Sequence, residues 1–227
     1  MAGNGKLETI FDKITTTDSV FTISNTSGVI LDNFKIIDTG VSCKAITIAA
    51  NSDFFKLTNL ALNTADESIL LDGTTGTITV YNGEISNCYI NNTVGDGIQT
   101  LSSGSYTAKL NVLNNTFQNV LEGINSDNAN DKGWHVRGNT FVNMVADCID
   151  VNGGADWDIS SNRFILNTGY GTWSAISRAV ITGSSTARIS LSGNTYSPND
   201  GAQLSLGGTD NISIDPADGI RYDTHQK

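Results

Sequence analysis

Short apolar alternations recur along the chain. They read Ala45-Ile46-Thr47-Ile48, Ile69-Leu70-Leu71, Gly97-Ile98-Gln99-Thr100, Gly123-Ile124-Asn125-Ser126, Cys148-Ile149-Asp150-Val151, Ala175-Ile176-Ser177 and Leu204-Ser205-Leu206. Each is short and has a period of two, the mark of a β-strand with one buried face. No long helical pattern separates them, so a fold of alternating strands and helices is excluded. Between them a second phrase returns, centred on an asparagine: Asn33, Asn59, Asn87, Asn115, Asn139, Asn162 and Asn194. An aromatic ring follows two positions later at Tyr89, Phe117, Phe141, Phe164 and Tyr196.

A repeat of about 25 residues made of short strands predicts a parallel β-solenoid, each coil lying about 4.8 Å above the last. Identical side chains then form columns. Asparagines bond amide to amide up the stack, and rings lie on rings. The interval between the asparagines wanders from coil to coil, which suits a coil that tolerates loop insertions. On these repeats the chain resembles the right-handed parallel β-helix of the pectate-lyase-like superfold, which includes polygalacturonases and phage tailspikes. The fold expected is therefore all-β, a right-handed parallel β-helix of about seven to eight coils. Residues 1–18 form an N-terminal cap or arm, 19–214 the β-helix and 215–227 a polar tail. Leu7, Ile10, Phe11 and Ile14 follow helical spacing behind Asn4, which predicts a short amphipathic helix capping the open first coil. Trp134 and Trp157 share an inward position in successive coils, and His135 faces outward.

Composition adds constraints. The chain has 227 residues, 13 basic against 23 acidic, for a net charge of −10. No basic stripe is available for a nucleic-acid backbone, so no nucleic-acid partner is expected. No run of apolar residues is long enough for a membrane span, and no leader is visible, so no membrane association is expected. Only 2 prolines accompany 23 glycines; proline would remove a bond shared with the next coil. Cys43, Cys88 and Cys148 lack metal-ligand spacing and the chain has only 2 histidines, so they read as small buried thiols and no zinc site is expected.

Candidate chemistry precedes the first set of strands. Glu67, Asp96, Glu122 and Asp147 occupy that place in four successive coils, flanked by Lys44 and Ser174. They would stack in one column at about 5 Å, where like charges cannot all ionise cheaply. The column suits a paired-carboxylate glycosidase. It also suits Ca²⁺, which clustered oxygens bind; no other cofactor is expected. A third reading is that an acidic residue merely opens each strand. Gly95-Asp96-Gly97-Ile98 and Ala146-Asp147-Cys148-Ile149 resemble the polygalacturonase strand that carries catalytic aspartates, which implies Asp96 and Asp147 as acid and base. The chain departs from that pattern: Ala146 replaces its first aspartate, the two residues lie two coils apart, and no Gly-His-Gly or Arg-Ile-Lys follows. Catalytic candidates are Asp96, Glu122, Asp147 and Asp150.

Outward positions on these strands are Thr47, Leu70, Gln99, Asn125, Asp150, Ser177 and Ser205. The longest loops, Leu101 to Lys109 and Asp127 to Trp134, follow them, and loops on one side of a solenoid usually form its binding face. Gln99, Asn125, Asp150, Tyr106 and Tyr170 are the candidates for glycan binding, the tyrosines by stacking on sugar rings. Lacking a complete catalytic signature, the chain is expected to be a non-enzymatic component of a virus or phage particle, a capsid decoration protein or small tailspike adhesin. It would sit on the virion surface, or extracellularly, as a homotrimer in contact with other virion proteins, and could bind a surface polysaccharide. The alternative is a polysaccharide hydrolase or lyase that uses the carboxylate column.

Overall fold

The computed structural model describes residues 9–12, 18–37, 42–49, 51–72, 79–91, 94–101, 106–128, 130–151, 154, 156–167, 181–183, 188–197, 204–206 and 211–214. Three parallel sheets of eight strands each carry the fold. The first sheet stacks Phe21–Ile23, Ile46–Ala49, Ile69–Asp72, Ile98–Thr100, Ile124–Ser126, Ile149–Val151, Ile181–Gly183 and Leu204–Leu206. The second runs from Ile30–Asp32 to Asn211–Ile214 and the third from Ile10–Asp12 to Thr195–Ser197. Each coil visits the first, second and third sheet in turn, so the chain is a parallel β-solenoid. Each sheet carries eight strands, in line with the seven to eight coils expected.

The alternation becomes columns. Ile46, Ile69, Ile98, Ile124 and Ile149 pair in succession, all with no exposed surface. Phe117, Phe141, Phe164 and Tyr196 stack with centroids 4.8, 5.0 and 5.2 Å apart. Trp134 lies on Trp157 at 4.5 Å, both buried. Tyr89 stands outside the aromatic column: it pairs with Ala61 and Thr116 and is 41% exposed, while Ile90 takes the inward place beside Phe117.

The asparagines divide into two columns. Asn115, Asn139, Asn162 and Asn194 form the buried ladder, each amide nitrogen donating to the next amide oxygen at 3.0–3.1 Å. The same nitrogens donate to the carbonyls of Ile85, Val112, Val136 and Ile159 in the preceding coil. Asn33, Asn59 and Asn87 stand one position earlier, in register with Asn114, Gly138, Ser161 and Gly193. All seven have positive φ, a left-handed turn that asparagine and glycine tolerate best.

No helix occurs among the described residues, so the expected N-terminal cap is corrected. Ile10–Asp12 is a strand paired with Lys35–Ile37, and Phe11 packs edge-on against Phe21 and Phe34 at 5.0 and 5.2 Å. The amide of Lys35 donates to Thr9, and this backbone pairing makes the segment the end strand of the third sheet. Asn4, Leu7 and Ile14 lie outside the described residues. So do Ile176 and Ser177: the strand paired with Ile149–Val151 is Ile181–Gly183.

Candidate active site

Backbone hydrogen bonds fix the carboxylate column. The amide of Ser68 donates to the Asp96 carbonyl at 2.9 Å, that of Gly97 to Glu122 at 2.8 Å and that of Gly123 to Asp147 at 3.3 Å. Glu67, Asp96, Glu122 and Asp147 thus hold equivalent places on successive rungs. Two glycines keep this edge tight. A Cβ on Gly97 would lie 2.6 Å from the Gly123 carbonyl and 2.7 Å from the Phe117 ring; one on Gly123 would meet Cys148 and Phe141 at 2.5 and 2.6 Å. The aromatic column therefore braces the backbone next to Asp96 and Glu122 from inside.

The four acids differ in surroundings. Lys44 Nζ bridges Asp66 at 2.9 Å and Glu67 at 3.1 Å, so one ammonium is shared between two carboxylates at the head of the column. Asp96 is 4% exposed. Burial pushes its pKa up to about 6, opposed by a 2.9 Å hydrogen bond from Asn125 Nδ2 and reinforced by the charge of Glu67. Its Oδ1 is buried without a hydrogen-bond partner, as is Glu122 Oε2. Burial, then the charges of Asp96, Asp150, Asp147 and Asp127, push Glu122 up to about 8. At neutral pH the pair therefore holds one carboxylate and one carboxylic acid, the division that general acid–base chemistry needs.

The structure brings Asp96, Asp147 and Asp150 into electrostatic reach of Glu122. Gln99, Asn125 and Asp150 form a continuous outward row between Leu70 and Thr182, with Ser205 beyond. Thr182 fills the place expected for Ser177. Tyr106 begins the strand Tyr106–Ala108, paired with Thr79–Tyr81, where a loop was expected. Tyr170 and Ser174 lie outside the described residues. The Asp127–Trp134 connection is tied down: buried Asp131 accepts from Thr100 Oγ1 at 2.8 Å and Ser126 Oγ at 2.7 Å. Two contributors escaped sequence reasoning. Asp66 shares Lys44 with Glu67, and Asp127 adds charge at Asp96 and Glu122. Asp127 lies two residues after outward Asn125, so strand alternation carried that signal. His135 faces outward, its Nδ1 3.7 Å from Asp158, which also ion-pairs Arg137. Among the described residues no three His, Cys, Asp or Glu are gathered closely enough to hold a metal ion.

No protein-family model matches the chain, and no curated protein matches it. A solved structure that does is the crystal structure of alginate lyase from Paenibacillus sp. str. FPU-7, with 13% identity and a TM-score of 0.40, over 88% of this chain and 93% of that one. The expectation of a non-enzymatic virion protein is corrected: the structure matched is that of an alginate lyase.

Proposed function

We propose that this chain is a polysaccharide-cleaving enzyme, a hydrolase or lyase, whose reacting pair is Glu122 and Asp96. The observation that supports it is a pair of adjacent carboxyl groups with surroundings that keep one protonated and the other ionised at neutral pH. Glu122 donates its proton to the glycosidic oxygen as the bond breaks. Asp96, the ionised member, acts on the opposite partner of that bond, and Asn125 holds it in place through Oδ2. Gln99 and Asp150, on the same outer face, bind sugar hydroxyls beside the pair.

The test is reducing-end and unsaturated-product release from a panel of polysaccharides, with Glu122→Gln and Asp96→Asn alongside. Each substitution is expected to lower kcat by about 10²-fold or more, the usual contribution of a general acid or base, while circular dichroism keeps its β signature. Turnover unchanged by both would overturn the reading.

A further inference from the structure

The acceptors around the carboxyl pair outnumber their donors. Asp96 Oδ1, Glu122 Oε2 and Asn125 Oδ1 are buried with no hydrogen-bond partner. Orphaned acceptors are costly to fold around, and each calls for a donor from outside the chain. Two of them are tied together. Asn125 Nδ2 donates to Asp96 Oδ2 at 2.9 Å, which settles which oxygen of each residue is left to accept. Asp96 is 4% exposed, whereas Asn125 and Glu122 are half-buried and partly open to solvent.

Charge chooses among donors. Asp96 feels the charges of Glu67 and Asp127, and Glu122 those of Asp96, Asp150, Asp147 and Asp127. The Lys44 ammonium is held by Asp66 and Glu67. A hydroxyl brings one donor and no charge. An ammonium brings three donors, no acceptor and the opposite charge. A carboxylated sugar would meet like charge. An apolar edge runs beside the column. The amide of Leu121 donates to the Gly95 carbonyl and that of Ala146 to the Leu121 carbonyl, so Val94, Leu121 and Val145 sit on the same turn of three successive coils. They are 74, 38 and 55% exposed, and each lies one or two residues before an acid of the column. A glycan laid along the stack would rest the C–H faces of its rings on this edge.

We propose that the glycan cleaved here is an amino-sugar polymer, and that the free amine beside the anomeric carbon is received by Asp96 Oδ1 and Asn125 Oδ1. The proposal rests on the enzyme reading and names its substrate class. Asp96 acts at the anomeric carbon, so a substituent on the neighbouring ring carbon lies next to Asp96 and to the Asn125 that holds it. Two of the amine's donors meet the two acceptors. Glu122 keeps its proton for the glycosidic oxygen.

The test uses the full chain carrying Glu122→Gln, which binds without turnover, in calorimetric titrations. The probes are gluco- and galacto-configured amino-sugar hexamers, their N-acetylated and 2-hydroxyl counterparts, a polyuronate hexamer and a lysine hexamer. One amino-sugar hexamer is expected to bind about ten-fold or more tightly than all the others, the scale of a hydrogen bond to a charged group. Adding Asn125→Leu, a side chain already present in the same outward row at Leu70, should abolish most of that preference. Adding Val94→Ser should weaken the amino-sugar hexamer and its counterparts alike and leave the preference intact. A counterpart or uronate bound as tightly, a lysine hexamer that matches the sugar, or a preference that survives Asn125→Leu would overturn the proposal. Cleavage of polyuronates by the unsubstituted protein, lost on Glu122→Gln, would sink the amino-sugar proposal and leave the enzyme reading intact. Preferred binding of an amino-sugar hexamer whose polymer the unsubstituted protein never cleaves would do the reverse.

Discussion

Glu122 is encircled by Asp96, Asp127, Asp147 and Asp150 and holds its proton to about pH 8, while Asp96 ionises from about 6. Activity needs Asp96 ionised and Glu122 protonated. The rate should therefore rise through the lower value, peak between the two and fall through the upper, which a kcat/KM–pH profile measures directly. The same shifts act on stability, with the opposite consequence for fitness at high pH. Both groups have folded values above their ordinary 3.8 and 4.5, so the folded state binds more protons than the unfolded one. Stability is then highest below about pH 4 as far as these groups are concerned, and falls as pH rises through about 8. Glu122→Gln removes the larger part of this penalty. Its melting temperature should exceed that of the unsubstituted protein by a few degrees at pH 9, and the difference should vanish near pH 4; thermal melts at the two pH values decide it.

Two columns of asparagine, one residue apart, do different work at the level of the coil. Asn139 lies in the ladder: its Oδ1 accepts from the amide and side chain of Asn115, and its Nδ2 donates to Val112 and Asn162. Asn139→Ala leaves the Asn115 amide and the Val112 carbonyl buried without these partners, which should cost roughly 2–4 kcal/mol. For a chain of this size that is a melting temperature lower by about 10 °C. Asn87 instead supplies a left-handed turn, with φ 54°. Asn87→Gly should be close to neutral, whereas Gly at 139 should be as damaging as Ala. The sequence phrase merged these columns because Asn114 and Asn115 are adjacent and either can continue a series from Asn87; only the pairing of Glu84 with Asn111 fixes the register. The carboxylate column was legible because each acid sits two residues before an inward isoleucine, a relation no insertion disturbs. The coil after Ile149 was misplaced although the ladder held the answer: Asn162 to Asn194 and Ile149 to Ile181 are separated by the same number of residues. The N-terminal helix failed for another reason. Four apolar residues at helical spacing are a local preference, and backbone pairing with Lys35–Ile37 is a stronger, non-local demand.

The charge of the whole molecule, −10, is unevenly spread, and Lys44 marks where the column's field is checked. Its ammonium compensates Asp66 and Glu67, and both salt bridges and desolvation bear on its own pKa, which is raised. Glu67 in turn raises Asp96. Lys44→Met should therefore release the charge of Glu67 onto Asp96, move the acidic limb of the rate profile to higher pH and narrow the active window, while the alkaline limb set by Glu122, one coil further away, moves less. Lys44 is about a quarter exposed, so the field it controls is partly open to solvent ions. At about 0.1 M salt the screening length is about 10 Å, longer than the spacing between rungs, and at about 1 M it is about 3 Å, shorter than that spacing. The displacement of the acidic limb should thus be largest at low salt and should shrink as salt is raised. A loss of packing at Lys44 would instead lower the rate at every pH and salt concentration alike. Rate–pH profiles of Lys44→Met at the two salt concentrations separate these outcomes, and an acidic limb that stays where it is at low salt would show that the column is not electrostatically continuous from Lys44 to Asp96.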